Sequence, residues 1–442
     1  MSNTVHFRQM QKGYTLGQAV AEADRCLLCH DAPCSKACPA ETDPALFIRK
    51  LRLKNITGAI RTIKENNILG GACGVLCPTA RLCEAECSAS GIDRPIEIGK
   101  IQRFLVEHAW ETGFAVLQKA QPRPEKVAVV GSGPAGLSCA AELAKAGVQV
   151  TVFESRPEPG GVLRYGVVSY RFDTQFLKKE LNDVKRLGVV FKCNSPISGE
   201  NAAENLLQEG FKAVFLAPGL WDAKRLTAED DRKKGCYSSV DYLAALRDNR
   251  LAEMEKAFSG ETVAVIGGGS VAIDCVVSAV KLGAEDVYLV YRRSYAQMPA
   301  EADEKMEALN AGVHFLLLNQ PVDYVVDAGS GVTGVKLMRT CLGAPDASGR
   351  RRPVPVENSE WILPVSRVIE AIGNKAEDIS PSWYPRVKVN AQQLIQVDPV
   401  SCQTSVESIF AGGDIVRGPA LVVTAVKDGK TAARAIMEYL AL

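Results

Sequence analysis

The stretch Val127–Glu154 reads VAVVGSGPAGLSCAAELAKAGVQVTVFE, and its order of apolar run, glycine turn, helix and second apolar run decides the fold. Val127–Val130 is a continuous apolar run of the kind that a parallel strand buries on both faces. Gly131-Ser132-Gly133-Pro134-Ala135-Gly136 turns it into a helix ending near Gly147, and a second strand, Gln149–Phe153, closes on Glu154. This pattern is the βαβ dinucleotide fingerprint. Gly131 permits the tight turn, Gly133 lets backbone N–H groups approach a pyrophosphate, and Gly136 lets helix and strand pack closely. The helix N-terminus adds partial positive charge for the phosphates. Glu154 stands where a carboxylate accepts hydrogen bonds from ribose hydroxyls, which suits FAD or NAD and argues against a 2′-phosphate at this first site.

The theme recurs downstream. A strand at Val263–Ile266 runs into Gly267-Gly268-Gly269-Ser270-Val271-Ala272, then a helix and a second strand at Val287–Val290. This second strand closes on Tyr291-Arg292-Arg293, with no carboxylate. Guanidinium groups in that place pair with a 2′-phosphate, so Gly267, Gly269, Ser270 and Ala272 with Arg292 and Arg293 read as a nucleotide site leaning to NADP over NAD. The alternative for either arginine is a surface ion pair. Between the fingerprints, Gly160-Gly161 allows backbone to run close to a flavin or its diphosphate, and Ala213–Gly219 reads as a buried strand ending in a turn. Near the end, Ile409–Ala411 delivers Gly412-Gly413-Asp414 to a turn, with a helix from about Leu421 that carries Thr424 in its first turn. An Asp so placed in enzymes with two dinucleotide folds binds the ribityl–pyrophosphate linkage of the flavin. The first nucleotide domain is therefore expected to be discontinuous, covering 121–260 and 376–442, with the second nucleotide domain at 261–375.

Eight of the fourteen cysteines fall between Cys26 and Cys87. They form two groups, Cys26-x2-Cys29-x4-Cys34-x3-Cys38-Pro39 and Cys73-x3-Cys77-Pro78-x4-Cys83-x3-Cys87. Thiolates at this density on short loops can surround a metal centre, and the Cys-Pro endings match runs in which the cysteine before proline serves the other of two iron–sulfur clusters. Two clusters are the reading, against a pair of structural zinc sites. Between the groups, Thr42 is the expected N-cap of a helix with Pro44 in its first turn, followed by helices near Ile56–Glu65 and Glu97–Trp110. The Pro-rich segment Gln118–Lys126 marks the end of this helical head at about residue 120. The other six cysteines are isolated, and each reads as a small packing residue.

A length of 442 residues points to two or three domains. The net charge of +1 implies no polyanion surface. With no apolar run of membrane-spanning length and a polar beginning, the chain is expected to be cytoplasmic, where thiols stay reduced.

The cysteine runs CLLCHDAPCSKACPAETDP (Cys26–Pro44) and CGVLCPTARLCEAEC (Cys73–Cys87), the segment PIEIGKIQRF (Pro95–Phe104) and the two fingerprints identify a resemblance. The chain resembles the FAD-containing small subunit of bacterial two-subunit dihydropyrimidine dehydrogenase, and is similar to the small subunit of glutamate synthase. The resemblance implies an α/β fold with two Rossmann-like, glutathione-reductase-like domains behind an α-helical iron–sulfur domain. It implies FAD, two [4Fe–4S] clusters, and NADP or NAD as cofactors. It further implies that Cys26, Cys29, Cys34 and Cys87 hold one cluster. Cys38, Cys77, Cys83 and Gln102 would hold the other, leaving Cys73 spare, although counting alone would have made Cys73 the eighth ligand. By the same carry-over, Arg171 contacts the flavin, and Ala371 and Asp414 lie near the nicotinamide. Ser270 departs from the acid that relatives often carry there, and Arg292-Arg293 departs from the NAD dependence typical of the bacterial enzymes. The implied activity is oxidation of a reduced nicotinamide, with electrons passing through FAD and the clusters to an FMN-bearing partner subunit that reduces uracil or thymine, in a heterotetramer. Rival readings are the glutamate synthase small subunit, a thiol–disulfide flavoenzyme, which would need a cysteine pair beside the flavin, and a zinc-binding scaffold.

Overall fold

The computed structural model describes residues 12–227, 234–248, 250–327, 331–346 and 349–442. The head is helical. Helix α1 (Leu16–Asp24) opens on Thr15, which forms a capping box with Gln18. A short α2 (Pro33–Lys36) lies inside the first cysteine group. Helix α3 (Pro44–Arg52) carries Pro at its start, and its N-cap is Asp43, whose carboxylate accepts from the Leu46 N–H. The cap expected at Thr42 is thus displaced by one residue. Asp43 takes a left-handed φ of 61°, a conformation that a short polar side chain tolerates, and Thr42 is left free for another role. Helices α4 (Ile56–Asn66), α5 (Gly70–Leu76) and α6 (Ile98–Glu111) complete the head. Their apolar faces meet in a core that includes Phe47, Ile48, Leu51, Ile60, Ile63, Ile101 and Leu105.

The chain continues through β1 (Lys126–Val130), α7 (Pro134–Lys145), β2 (Gln149–Phe153), α8 (Val162–Tyr165), α9 (Thr174–Arg186), β3 (Val190–Lys192), α10 (Ala202–Gln208) and β4 (Ala213–Leu216). Next come β5 (Asp222–Ala223), β6 (Cys236–Ser238), α11 (Ser239–Arg247), α12 (Leu251–Phe258), β7 (Thr262–Ile266), α13 (Ser270–Lys281), β8 (Asp286–Tyr291), α14 (Ala302–Asn310) and β9 (His314–Leu317). An antiparallel excursion follows, β10 (Asn319–Asp327), β11 (Gly331–Pro345), β12 (Arg351–Pro355) and β13 (Trp361–Pro364). The last elements are β14 (Arg367–Glu370), β15 (Asn374–Lys375), β16 (Ile409–Ala411), α15 (Asp414–Arg417) and α16 (Val422–Tyr439).

Two parallel sheets organise these elements. The first has strand order β16-β4-β1-β2-β3, the second β6-β14-β7-β8-β9. In each, the fingerprint strand is central and the next strand in the chain and a much later one lie on opposite sides of it, β2 and β4 beside β1, and β8 and β14 beside β7. That placement opens the crevice at the strands' C-terminal ends where dinucleotides bind. The chain divides into two compact units. Among the described residues, one comprises 12–164, Arg171–Leu220 and Ala376–Leu442, the other Tyr165–Tyr170 and those within Trp221–Lys375. The division at residues 260/261 expected from sequence therefore shifts. Strand β6 pairs with β14, so residues 236–258 belong with the second sheet. A three-residue strand before the fingerprint carries too short a pattern to be assigned to a sheet from sequence.

Candidate cofactor sites

Several helices among the described residues close an N-terminal amide with a side chain, as Thr15, Asp43, Asn55, Asp173 and Ser238 do. The two fingerprint helices do not. Helices α7 and α13 start from Gly133 and Gly269, with no side-chain cap, so their first N–H groups face the crevice unpartnered by a cap. Uncapped amides at the positive end of a helix make an anion site.

Close packing explains the glycines. A Cβ on Gly131, whose φ is +95°, would sit 2.2 Å from the Ala217 carbonyl oxygen, and one on Gly136 would sit 2.0 Å from that of Gly131. The Ser132 N–H and hydroxyl both donate to Glu154 Oε2, at 3.1 and 2.5 Å, and the Gly160 N–H donates to Ser132 Oγ at 2.9 Å. Glu154 thus anchors the turn and, through Ser132, the Gly160-Gly161 segment, while its Oε1 accepts from the Arg156 N–H at 2.9 Å. Pro134 and Ala135 form the buried first turn of α7. Arg171 stands half-buried just before α9.

From the chain's far end, β16 brings Gly413 and Asp414 into the same unit. Burial pushes the Asp414 carboxyl up to about 6, the Ala420 amide opposes this, and the Asp428 charge adds to it. Asp428, fully enclosed on α16, accepts from the Gly413 N–H at 3.0 Å and from Arg417 Nε at 2.7 Å. It holds the turn that presents Asp414. Thr424 lies in the first turn of α16, its hydroxyl donating to the Leu421 carbonyl at 2.7 Å.

At the second fingerprint a Cβ on Gly267 would approach the Ala371 oxygen to 2.4 Å, so Ala371 closes directly over the turn. Ser270 opens α13, and Ala272 is buried under the turn. The two arginines separate. Arg292 is exposed. Arg293 is buried, donating to the Arg351 carbonyl at 2.9 Å and to Asp346 at 2.8 Å. Arg293 forms an ion pair, though a buried one rather than the surface pair weighed in sequence.

The cysteines gather into two hollows. Cys26, Cys29, Cys34 and Cys87 line one, walled by Leu27, Ala32, Pro33, Ile48, Ala89, Ile96 and Ile98. Cys38, Cys73, Cys77, Cys83 and Gln102 line another, with Pro39, Leu82, Ile98 and Val423 in its wall. Membership is crossed. Cys87 of the second group joins the first hollow, and Cys38 of the first group joins the second. Ile98, at the start of α6, belongs to both walls. Burial makes Cys26, Cys34 and Cys83 hard to ionise unaided. Burial, with Cys26 and Cys87 nearby, pushes Cys34 up to about 11, and Cys77 is raised first by its hydrogen bond with Cys73 and then by burial. Thiolates crowded in apolar walls fit a site where a cationic centre supplies the missing charge. Gln102 is buried with its Nε2 donating to the Gly70 carbonyl at 2.6 Å, while its side chain lines the second hollow.

Residues 3–114 match the family model described as dihydropyrimidine dehydrogenase domain II, 4Fe–4S cluster, and residues 125–429 match the model described as pyridine nucleotide-disulphide oxidoreductase. The chain belongs to the pyridine nucleotide-disulphide oxidoreductase family. It is 34% identical over 450 residues to the glutamate synthase [NADPH] small chain of Escherichia coli (strain K12), covering 99% of this chain and 94% of that one. It is 35% identical to the NAD-dependent dihydropyrimidine dehydrogenase subunit PreT of Salmonella typhimurium, covering 98% of this chain and 97% of that one. It is 38% identical to the NADP(+)-dependent formate dehydrogenase subunit beta of Moorella thermoacetica, over 92% of this chain but only 60% of that one. Among solved structures, FprA of Mycobacterium tuberculosis aligns with a TM-score of 0.60 at 20% identity, over 72% of this chain and 85% of that one, a likeness of fold. Within this superfamily of iron–sulfur flavoprotein small subunits, the chain is a FAD- and pyridine-nucleotide-dependent oxidoreductase with a 4Fe–4S domain at residues 3–114. No helix among the described residues is long and apolar enough to cross a membrane.

Sequence reasoning missed the residues that tie the cysteine head to the flavin fold. Helix α9 sends Glu180, fully buried, to the start of α5, where its oxygens accept from the Gly71 and Ala72 N–H groups at 2.8 and 3.1 Å. Lys64 Nζ lies 3.8 Å from Glu180 and 2.9 Å from Asp183. Burial pushes Glu180 up to about 7 against the pull of Lys64 and the two amides. On α16, Lys430 donates to the Ala40 carbonyl at 2.5 Å, beside the second hollow. Gly429, inside that helix, was the available signal. A Cβ there would sit 2.3 Å from the Ala135 oxygen, and a glycine within a helical pattern marks such a close approach.

Proposed function

We propose that the chain is the electron-input subunit of a dihydropyrimidine dehydrogenase, working in the cytoplasm with an FMN-bearing iron–sulfur partner in a heterotetramer and using NADPH. The pair of hollows with crossed cysteine membership is the observation that carries this reading. Cys26, Cys29, Cys34 and Cys87 hold one [4Fe–4S] cluster, and Cys38, Cys77, Cys83 and Gln102 hold the other. Gly131–Gly136 and the uncapped start of α7 bind the FAD pyrophosphate, with Glu154 at the ribose, Asp414 at the ribityl chain, and Gly160-Gly161, Arg171, Gly413 and Thr424 around them. Gly267, Gly269, Ser270 and Ala272 bind the nicotinamide nucleotide, Ala371 closes over it, and Arg292 pairs with its 2′-phosphate. The flavin and clusters, when bound, supply the redox chemistry, accepting an electron pair and releasing single electrons, so the protein's part is positioning and no acid–base side chain is needed. The partner reduces uracil or thymine to the dihydropyrimidine.

Anaerobic pull-down of the tagged chain from native extract tests this. Co-purification of an FMN protein and uracil-dependent NADPH oxidation are expected. A second reading, the small subunit of glutamate synthase, is favoured by the match across 94% of that small chain. Capture of a large glutamine-hydrolysing partner would overturn the first reading in its favour.

A further inference from the structure

We infer that Asn67 and Thr42 are positioning residues that raise the redox potential of the cluster in the second hollow, and that the spare thiol of Cys73 relays part of that effect. The inference rests on the reading that Cys38, Cys77 and Cys83 bind a cluster there.

Asn67 joins α4 to α5 and is fully buried. Its Oδ1 accepts from the Leu69 N–H at 3.0 Å, which fixes the orientation of the amide. Its Nδ2 then lies 3.2 Å from Thr42 Oγ1 and 3.4 Å from Cys73 Sγ. Thr42 is buried too, with its N–H and its hydroxyl each 3.5 Å from Cys38 Sγ. In the free thiol Cys38 can donate to Thr42. A cysteine that ligates iron has lost its proton and can only accept. Because Asn67 already donates to Thr42 Oγ1, the hydroxyl proton of Thr42 is left for Cys38, which then receives two donors from one residue. Cys73 completes a second branch. With Gln102 in the ligand set, Cys73 keeps its proton, accepts from Asn67 and donates to Cys77, with which it shares a hydrogen bond. Both branches start at the Asn67 amide.

Reduction adds negative charge that spreads onto the sulfurs, and donors aimed at those sulfurs stabilise the reduced state and raise the potential. In the first hollow the donor to Cys87 is a backbone amide, that of Ile96 at 3.5 Å. The second hollow adds side-chain donors, so side-chain replacement can address its cluster alone.

The test is an anaerobic redox titration of the full-length, iron-replete protein followed by EPR, with iron content measured in parallel. Cys38→Ala first identifies the signal belonging to the second hollow. Thr42→Val keeps the side-chain shape and removes only the hydroxyl, so it reports even if Asn67→Leu folds poorly. The expected result is that Thr42→Val and Asn67→Leu make the second cluster harder to reduce, by about tenfold in its one-electron equilibrium, or ~59 mV, with the first cluster unmoved. Cys73→Ala shifts the same signal in the same direction. Full iron with both potentials unchanged would overturn the inference. If Cys38→Ala instead leaves both signals intact, the ligand reading beneath it is wrong and the inference falls with it.

Discussion

Replacing Glu180 by Gln tests how the flavin fold holds the helix that carries Cys73 and Cys77. The carboxylate accepts two amides in the first turn of α5, from Gly71 and Ala72, and is completely buried. A Gln of the same shape keeps one accepting oxygen and turns an NH₂ group toward the other amide. One buried N–H is then unsatisfied, which costs ~1–3 kcal/mol. Lys64 loses one carboxylate but keeps Asp183 at 2.9 Å, so the ~3–5 kcal/mol penalty of stranding a buried charge is not incurred in full. The net expectation is ~2–3 kcal/mol, felt locally at the start of α5. Multi-domain proteins with tightly bound cofactors do not unfold in a single step, so a global melting curve is a poor gauge. Amide hydrogen exchange resolves local opening, and 2–3 kcal/mol corresponds to roughly 30- to 150-fold faster exchange through RT. Mass spectrometry of a peptide spanning residues 68–78 is therefore expected to lose protection by that factor in Glu180→Gln at pH 8, with peptides of β7 and β8 unaffected. Unchanged protection in that peptide would refute the argument that Glu180 clamps the helix.

Other expectations concern the flavin and nucleotide sites. Arg292→Ala removes a charge-assisted contact worth ~1.5–3 kcal/mol, so kcat/KM for NADPH should fall about 10- to 100-fold while that for NADH stays level. Equal loss with both nucleotides would remove Arg292 from the 2′-phosphate. Gly136→Ala puts a methyl 2.0 Å from the Gly131 oxygen, and the variant is expected to purify with little FAD, whereas full flavin stoichiometry on absorbance would contradict the close-packing argument. Asp414, raised by burial from 3.8 to about 6, is protonated more readily in the folded than in the unfolded chain. Its contribution is therefore greatest below about 4 and is lost as pH climbs through about 6, by at most ~3 kcal/mol and less to the extent that solvent reaches it. In flavin-free protein, Asp414→Asn should slow amide exchange in a peptide spanning residues 409–420 more at pH 7.5 than at pH 5, after correction for the intrinsic pH dependence of exchange, and a pH-independent difference would count against the shift.

The nucleotide folds were legible because their signals are local. Gly131, Gly133 and Gly136 lie within six residues, and the strands on either side are uninterrupted apolar runs. The two cysteine groups were legible for the same reason, while the crossing of Cys38 and Cys87 between them was implied by the resemblance and not by spacing. Where sequence reading slipped, the deciding partner lay far along the chain. Arg293 looked equivalent to its neighbour until the excursion β10–β13 brought up Asp346, 53 residues on. Thr42 looked like a cap, but its neighbour Asp43 takes that place, and the Thr42 hydroxyl meets Asn67, 25 residues on. Glu180 carries no motif at all, and its amide partners lie 108 and 109 residues earlier.

The Pro-rich segment before β1 also shows how a covalent linker differs from a physical boundary. Composition changes there, and residues 1–120 read as a separate domain. Yet the head and the first sheet form a single compact unit. The reason lies in what the head cannot satisfy by itself. The Gly71 and Ala72 amides of α5 need Glu180, Lys64 needs Asp183, and the Ala40 carbonyl beside the second hollow takes the ammonium of Lys430. Val423, the residue before Thr424, closes the wall of that hollow. Buried polar groups left without these partners would each cost on the order of 1–3 kcal/mol, a large fraction of the net stability of any domain. The same contacts set the second thiol hollow one residue from the helix turn that carries Thr424. Electron transfer needs that spacing held fixed, and the polar groups that hold it are ones the head cannot leave unpaired.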